Sequence, residues 1–353
     1  MKLRLLPRIV SALGLGLLLA SQSGCTSLAY VTQAAVGQND LSIRARDIDE
    51  LVRDKHVSPR MRELLSEVAL IKRYGERHGL TATTNYTKYV RVDRPAVVWV
   101  VSASEPLRFH SKIWSFPLVG SFTYLGWFKR DAADGFAKDL REEGWDVDVR
   151  GSAAYSTQGY FEDPVVSTMI PAGKEALGVL ANTILHESAH ASFFVPNQST
   201  LNESVANFVG DTLGARYVED TRGSDAPEAV AYVKSEHAYD QRRRELREAF
   251  HTLEALYASP KSDAEKLAEK KGILAHLQTE MRTQRPINNA TLIQYRTYNS
   301  GQDELAKLLA ACDGDWRRFL DSLRTLRAHP NAPPQESDVG KMVTPLIAAH
   351  CPR

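Results

Sequence analysis

Residues 178–194 set the strictest condition on how this chain can fold. The run is apolar and helix-compatible, with Leu180, Ile184, Leu185, Ala189 and Phe193 at helical spacing and Pro196 as its stop. Yet it carries His186, Glu187 and His190. Polar groups on a buried helix are costly unless something binds them. Positions four apart share a helix face, so both imidazoles can reach one ion, while Glu187 sits one step round as a candidate general base. This H-E-x-x-H pattern predicts one Zn2+ ion and hydrolytic chemistry. The plainer alternative is a pair of packing histidines.

A catalytic zinc site keeps three protein ligands. Glu203, thirteen positions past His190, is the expected third, on a second amphipathic stretch for which Asn202 is the expected N-cap. Pro196, Asn197 and Ser199 supply a turn between the two helices. A metzincin site would instead need glycine at 193 and histidine at 196, where the chain has Phe193 and Pro196. Asn207, four residues after Glu203, is placed to hydrogen-bond a ligand histidine or to lie exposed on its helix.

The N-terminus reads as an export signal. Lys2, Arg4 and Arg8 precede the apolar run Ile9–Ala20, and Ser23-Gly24-Cys25 then resembles a lipoprotein processing site, with Cys25 as the lipidated residue. Gln22 departs from the usual aliphatic residue there, and ordinary cleavage near Cys25 is the alternative. Thr26 in place of aspartate fits sorting to an outer membrane. The expected location is thus the bacterial cell envelope, lipid-anchored and facing the periplasm, with the membrane as partner through the anchor. Cys312 and Cys351 either pair in such a compartment or stay reduced and buried. With 44 Lys and Arg against 43 Asp and Glu, the net charge of +1 implies no nucleic acid partner.

The expected architecture is α+β, predominantly helical, with a small mixed sheet and a long helical hairpin. Its divisions are a signal peptide (1–24), an N-terminal helical segment (25–92), a catalytic core of sheet and metal helices (93–224), the hairpin (225–285) and a C-terminal helical segment (286–353). Strand-like runs cover 96–101, 113–116, 119–128 and 145–149, with a helical stretch at 131–143. Part of Ala153–Thr157 is expected to pair with a peptide substrate by strand addition, with Tyr155 in contact with it. Glu162 or Asp163 is a candidate for binding a substrate α-ammonium, although a loop closing the sheet would explain the same residues. Tyr298, with Tyr295 in reserve, is the candidate for stabilising an oxyanion.

Taken in order, Tyr30–Gln38, Trp114–Gly120, Ala154–Pro164, His186–His190, Asn202–Ala206 and Asn288–Ala290 resemble a bacterial family of predicted HExxH zinc aminopeptidases, many of them predicted lipoproteins. The resemblance spans nearly the whole mature chain. It implies a gluzincin-like zincin fold with His186, His190 and Glu203 on zinc, Glu187 as base, and peptides as substrates. Ser188 and Gln158 depart from residues common in that family, and neither is a ligand. Two rivals remain from the sequence: an envelope metalloendopeptidase, and a non-catalytic lipoprotein with a structural or vestigial metal site.

Overall fold

The computed structural model describes residues 29–116, 120–155, 162–298, 301–328, 336, 338–349 and 351. Numbered in chain order, residues 29–44 form helix α1. Then come β1 (Arg46–Asp47), α2 (Ile48–Arg53), α3 (Pro59–Arg77), β2 (Lys88–Val90), β3 (Val98–Ser104), β4 (Trp114–Phe116), β5 (Gly120–Phe122) and β6 (Tyr124–Trp127). Next are α4 (Arg130–Glu142), β7 (Asp146–Ser152), β8 (Val165–Val166), α5 (Ala176–Ser192) and α6 (Ser199–Arg222). The chain continues with α7 (Pro227–Ala258), α8 (Asp263–Glu280), α9 (Asn289–Tyr298), α10 (Gln302–Ala311), α11 (Trp316–Arg324) and α12 (Val339–Ala348). The protein is mostly helical with small sheets, an α+β fold.

In place of one mixed sheet there are three small ones among the described residues. The first has order β6-β3-β7 and is wholly antiparallel. The second, β1-β2-β8, joins an antiparallel pair to a parallel one, and the third is the β4-β5 pair. The strands of the second sheet are two or three residues long. That is too short to leave an alternation in the sequence.

The period-2 geometry of β7 gives it two distinct faces. Val147 packs with Ala133, Ala137 and Leu140 of α4 in a core of its own. Asp146, Asp148 and Arg150 form the opposite row. Asp146 accepts from Lys270 of α8 and from the Asn289 backbone N–H, at 3.0 Å, where α9 begins. Asp148 pairs with Arg285 and accepts from Thr291 of α9 at 3.3 Å. Asn288 donates to Val147 O at 2.9 Å and Asn289 to Glu105 O at 2.8 Å. These two asparagines thus dock α9 on the sheet.

Helix α7 runs to Ala258, and α8 starts behind a capping box made by Ser262 and Glu265. The two pack through Leu246, Phe250, Leu253, Leu274 and Leu277, a second core separate from the main one. The main core gathers α3, α5, α6, α10, α11 and α12 around Leu65, Ile71, Leu180, Ile184, Leu213 and Phe319. Cys312 and Cys351, both buried there, are joined by a disulfide with Cα atoms 5.1 Å apart. Among the described residues no helix is long and apolar enough to cross a membrane.

Candidate metal centre

Helix α5 buries Leu177, Leu180, Ala181, Ile184, Leu185, Ser188 and Ala189, which recur at three- and four-residue spacing. The remaining stripe, Asn182, Thr183, His186, Glu187 and His190, is only partly buried. The helix ends where Phe193 turns extended, and Pro196 and Asn197 (φ +58°) reverse the chain.

Helix α6 begins earlier than the sequence suggests. Its N-cap is Gln198, and Asn202 already lies within the helix. The side chain of Asn202 does different work: it accepts from Val195 N–H and donates to Val195 O, both at 2.8 Å. That two-point clamp fixes the reversal between α5 and α6, and so the position of the next residue, Glu203. Further along, α6 crosses α5 closely at two glycines. A Cβ at Gly210 would lie 2.7 Å from Asn182 Oδ1, 3.0 Å from the Asn182 carbonyl oxygen and 3.0 Å from His186 Cβ. At Gly214 it would lie 3.0 Å from Asn182 Cα and N.

This packing brings His186, His190 and Glu203 together, one ligand atom from each lying within 4.8 Å of the others. The two histidine Nε2 atoms are 3.2 Å apart, and each lies 3.8 Å from an oxygen of Glu203. A tetrahedral ion with bonds of about 2.1 Å has ligand edges of about 3.4 Å. The Nε2–Nε2 separation and the two N–O separations, one to Oε2 and the other to Oε1 of Glu203, lie on either side of that value, and two imidazoles with one carboxylate are a donor set that suits a divalent metal ion such as Zn2+. The fit is therefore good in both geometry and chemistry.

The electrostatics agree. Burial, and then the neighbouring His190, push the His186 imidazole down to about 3, against the hydrogen bond with Asn207. Burial lowers His190 too, with Glu187 opposing. Burial raises the Glu203 carboxyl to about 7, against the Arg150 charge. Neutral imidazoles are the form that coordinates a metal, and a buried acid held up in this way gains most from a cation.

Two neighbours of the site leave no signal in the sequence. One is Arg150 of β7, whose charge acts on Glu203. The other is Tyr86, buried in the main core, whose phenol is raised first by burial and then by the charges of Glu187 and Asp163. Tyr86 has φ +64°, rare for a bulky residue. Its loop is pinned from several sides: Lys72 donates to Thr83 O (2.8 Å) and Asn85 O, and Thr81 N–H to Ser192 Oγ at 2.8 Å. Tyr86 N–H donates to Asp163 O at 2.8 Å. A polar loop and a single strand position show no periodicity, so only the three-dimensional contacts identify these residues.

The other expected site residues fall elsewhere. Tyr155 packs edge-on against Phe128, with ring centroids 5.1 Å apart, and Glu162 is exposed. Asp163, by contrast, is buried beside Tyr86. Strand β7 ends at Ser152; Ala153–Tyr155 form no regular strand, while Ser156 and Thr157 lie outside the described residues. Tyr298 and Tyr295 are on α9, but their side chains lie outside the described set, as does Cys25.

A family model described as "Putative aminopeptidase" matches residues 29–337. The chain belongs to that family. No curated protein and no solved structure matches it.

Proposed function

We propose, from this family membership and the converging triad, that the chain is a zinc-dependent aminopeptidase with a gluzincin-like site. The observation that carries the metal assignment is the meeting of His186, His190 and Glu203 from two helices, with Glu187 beside the two imidazoles on α5. A zinc ion held there would lower the pKa of water toward about 7 and polarise a peptide carbonyl. Glu187 takes the proton of the attacking water and passes it to the leaving amine. Asn207 holds His186 in register through its hydrogen bond, leaving the other ring nitrogen for the ion. A site that was purely structural would have no use for a base at this position.

The same reading places the protein in the bacterial envelope, anchored through Cys25 to the outer membrane and facing the periplasm, with peptides as substrates. The pairing of Cys312 with Cys351 supports an oxidising compartment. Incorporation of labelled palmitate by the wild type and not by Cys25→Ala tests the anchor.

The decisive experiment compares wild type with Glu187→Gln, using zinc content and hydrolysis of free-amine and N-acetylated peptides. The expectation is one zinc per chain in both proteins, loss of turnover in the variant, and no cleavage of blocked peptides. Full activity in Glu187→Gln would remove the base. Equal cleavage of blocked peptides would make the enzyme an endopeptidase.

A further inference from the structure

We infer that the outer face of α1 rests on the lipid bilayer, through Val31, Val36 and Ile43, and fixes how the protein stands there. The inference rests on the proposed anchor at Cys25 and goes beyond it, because acyl chains by themselves tether a protein without orienting it.

The inner face of α1 is bolted to the outer edge of β6, the first strand of the β6-β3-β7 sheet. Gln33 donates to Gly126 O at 3.0 Å and accepts from Phe128 N–H at 3.1 Å, and the Tyr30 hydroxyl accepts from Gly126 N–H at 3.3 Å. The Tyr30 ring meets Phe116 and Trp127, with centroids 5.3 and 5.6 Å away. At Gly37 the helix lies so close to the Phe128 ring that a Cβ would overlap it, and Leu41 is fully buried. Helix and sheet therefore move as one piece.

The outer face has a different character. Ala29, Thr32, Val36, Asn39 and Ile43 follow one another at spacings of three and four along the exposed side. Val31, Val36 and Ile43 are 48%, 65% and 75% exposed. From Thr26 to Asn39 the sequence holds no Asp, Glu, Lys or Arg, although charged residues are 25% of the whole chain. The charges of α1, Asp40 and Arg44, come late in the helix and pair with each other at 2.9 Å. Helix α4, of similar length, instead exposes Arg130, Asp131, Lys138, Asp139, Arg141 and Glu142 to water.

What lies against this face follows from where the chain leads. Cys25 precedes Ala29 by four residues, which span at most about 14 Å. Lipid chains on Cys25 thus hold the first turn of α1 within that distance of the bilayer, with no long linker to let the body swing free. Three aliphatic side chains without a basic rim bind a bilayer weakly by themselves. Beside an anchor they act at high effective concentration, and a weak contact is enough to set the orientation.

The test places an environment-sensitive nitrobenzoxadiazole label on Val36→Cys, Ile43→Cys and, as control, Leu267→Cys. Leu267 is 46% exposed on α8, the helix bound through Lys270 to β7 at the opposite edge of the sheet. The acylated full-length proteins are reconstituted into phosphatidylethanolamine–phosphatidylglycerol vesicles containing a spin-labelled lipid. The expectation is a blue shift and quenching of the labels at 36 and 43, and neither at 267. Labels at 36 and 43 as wet as that at 267 would overturn the inference while leaving the anchor intact. Shielding that needs no vesicles and grows with protein concentration would also overturn it, since a second copy of the chain would then cover the face. If the chain takes up no palmitate, the anchor reading falls, and the same labels are read with an N-terminal hexahistidine tag holding the protein on nickel-chelating lipid. Shielded labels there still support the docking face, and wet ones refute it. On that weaker tether, the double variant Val36→Glu/Ile43→Glu should be retained about tenfold less well than wild type, and equal retention would count against the contact.

Discussion

Replacing Gly210 by alanine tests whether the crossing of α5 and α6 sets the spacing of the metal ligands. The added Cβ would meet Asn182 Oδ1 at 2.7 Å, and the Asn182 carbonyl oxygen and His186 Cβ at 3.0 Å each. None of these can give way cheaply. The Asn182 side chain is held by its bonds to Asp211 and the Tyr232 hydroxyl, both 2.9 Å, and the other two atoms belong to a packed helix. Ordinary contact begins near 3.4 Å, so α6 must back away by 3.4 less 3.0, about 0.4 Å, to clear the carbonyl oxygen and His186 Cβ, and by 3.4 less 2.7, about 0.7 Å, to clear the held Asn182 Oδ1. Metal–ligand distances tolerate about 0.2 Å. Overpacking costs about 1–3 kcal/mol, and the better helix propensity of alanine returns about 1, for a net loss of about 0–2 kcal/mol without metal. Zinc affinity should fall by about 10–100-fold, or roughly 1.4–2.7 kcal/mol. Chelator competition measures the affinity and denaturant melts of the metal-free protein measure the stability. Gly272→Ala is the control: it sits in α8 with nothing within 4 Å of the added Cβ, and should gain about 1 kcal/mol with zinc binding unchanged. If Gly210→Ala behaves like this control, the crossing does not govern the site.

Other perturbations have equally definite outcomes. Asn202→Ala strips both partners from the buried Val195 backbone and should cost about 2–4 kcal/mol, with zinc affinity falling in step; an unchanged denaturation midpoint would show that the clamp is idle. Since Glu203 is raised to about 7, protons compete with metal below that pH, and zinc affinity should drop about tenfold per unit on acidification and level off above it. Titrations at pH 5.5, 6.5 and 8 check this, and a flat profile would contradict it. Glu236 of α7 is raised to about 7 as well, first by burial and then by Asp211. The folded state therefore binds this proton more tightly than the unfolded one. Its contribution is present at pH values below the unfolded value of about 4.3 and is lost as pH rises toward 7. Glu236→Gln should flatten that decline in denaturant melts between pH 4.5 and 7.5; an unaltered slope would place the effect elsewhere.

What could be read in advance depended on how far apart the cooperating residues lie in the chain. His186, Glu187 and His190 declare themselves because one helix sets their geometry. Glu203 does so because a short reversal can bring it back. Even here Asn202 was misread as a cap, since the sequence cannot show that the turn at Pro196 and Asn197 is tight enough for α6 to begin at Ser199. Arg150 and Tyr86 were invisible for a different reason: a strand face and a pinned loop are brought to α5 and α6 only by long-range packing. The Asn288-Asn289-Ala290 element stood out by resemblance, but its physical role, docking α9 on β7, follows from hydrogen bonds that no local pattern encodes. The short strands β1, β2 and β8 likewise carry too few residues to alternate.

The row of charges on β7 also makes the molecule unusually intolerant of a change in length at one place. Because successive strand residues face opposite ways, inserting or deleting one residue between Asp146 and Arg150 would invert part of the row. Carboxylates or a guanidinium would then press on the alanines of α4, while valines met the lysine, arginine and glutamate they cannot satisfy. Anchorage of the hairpin and alignment of the metal pocket would be lost together, from an edit made on neither of them.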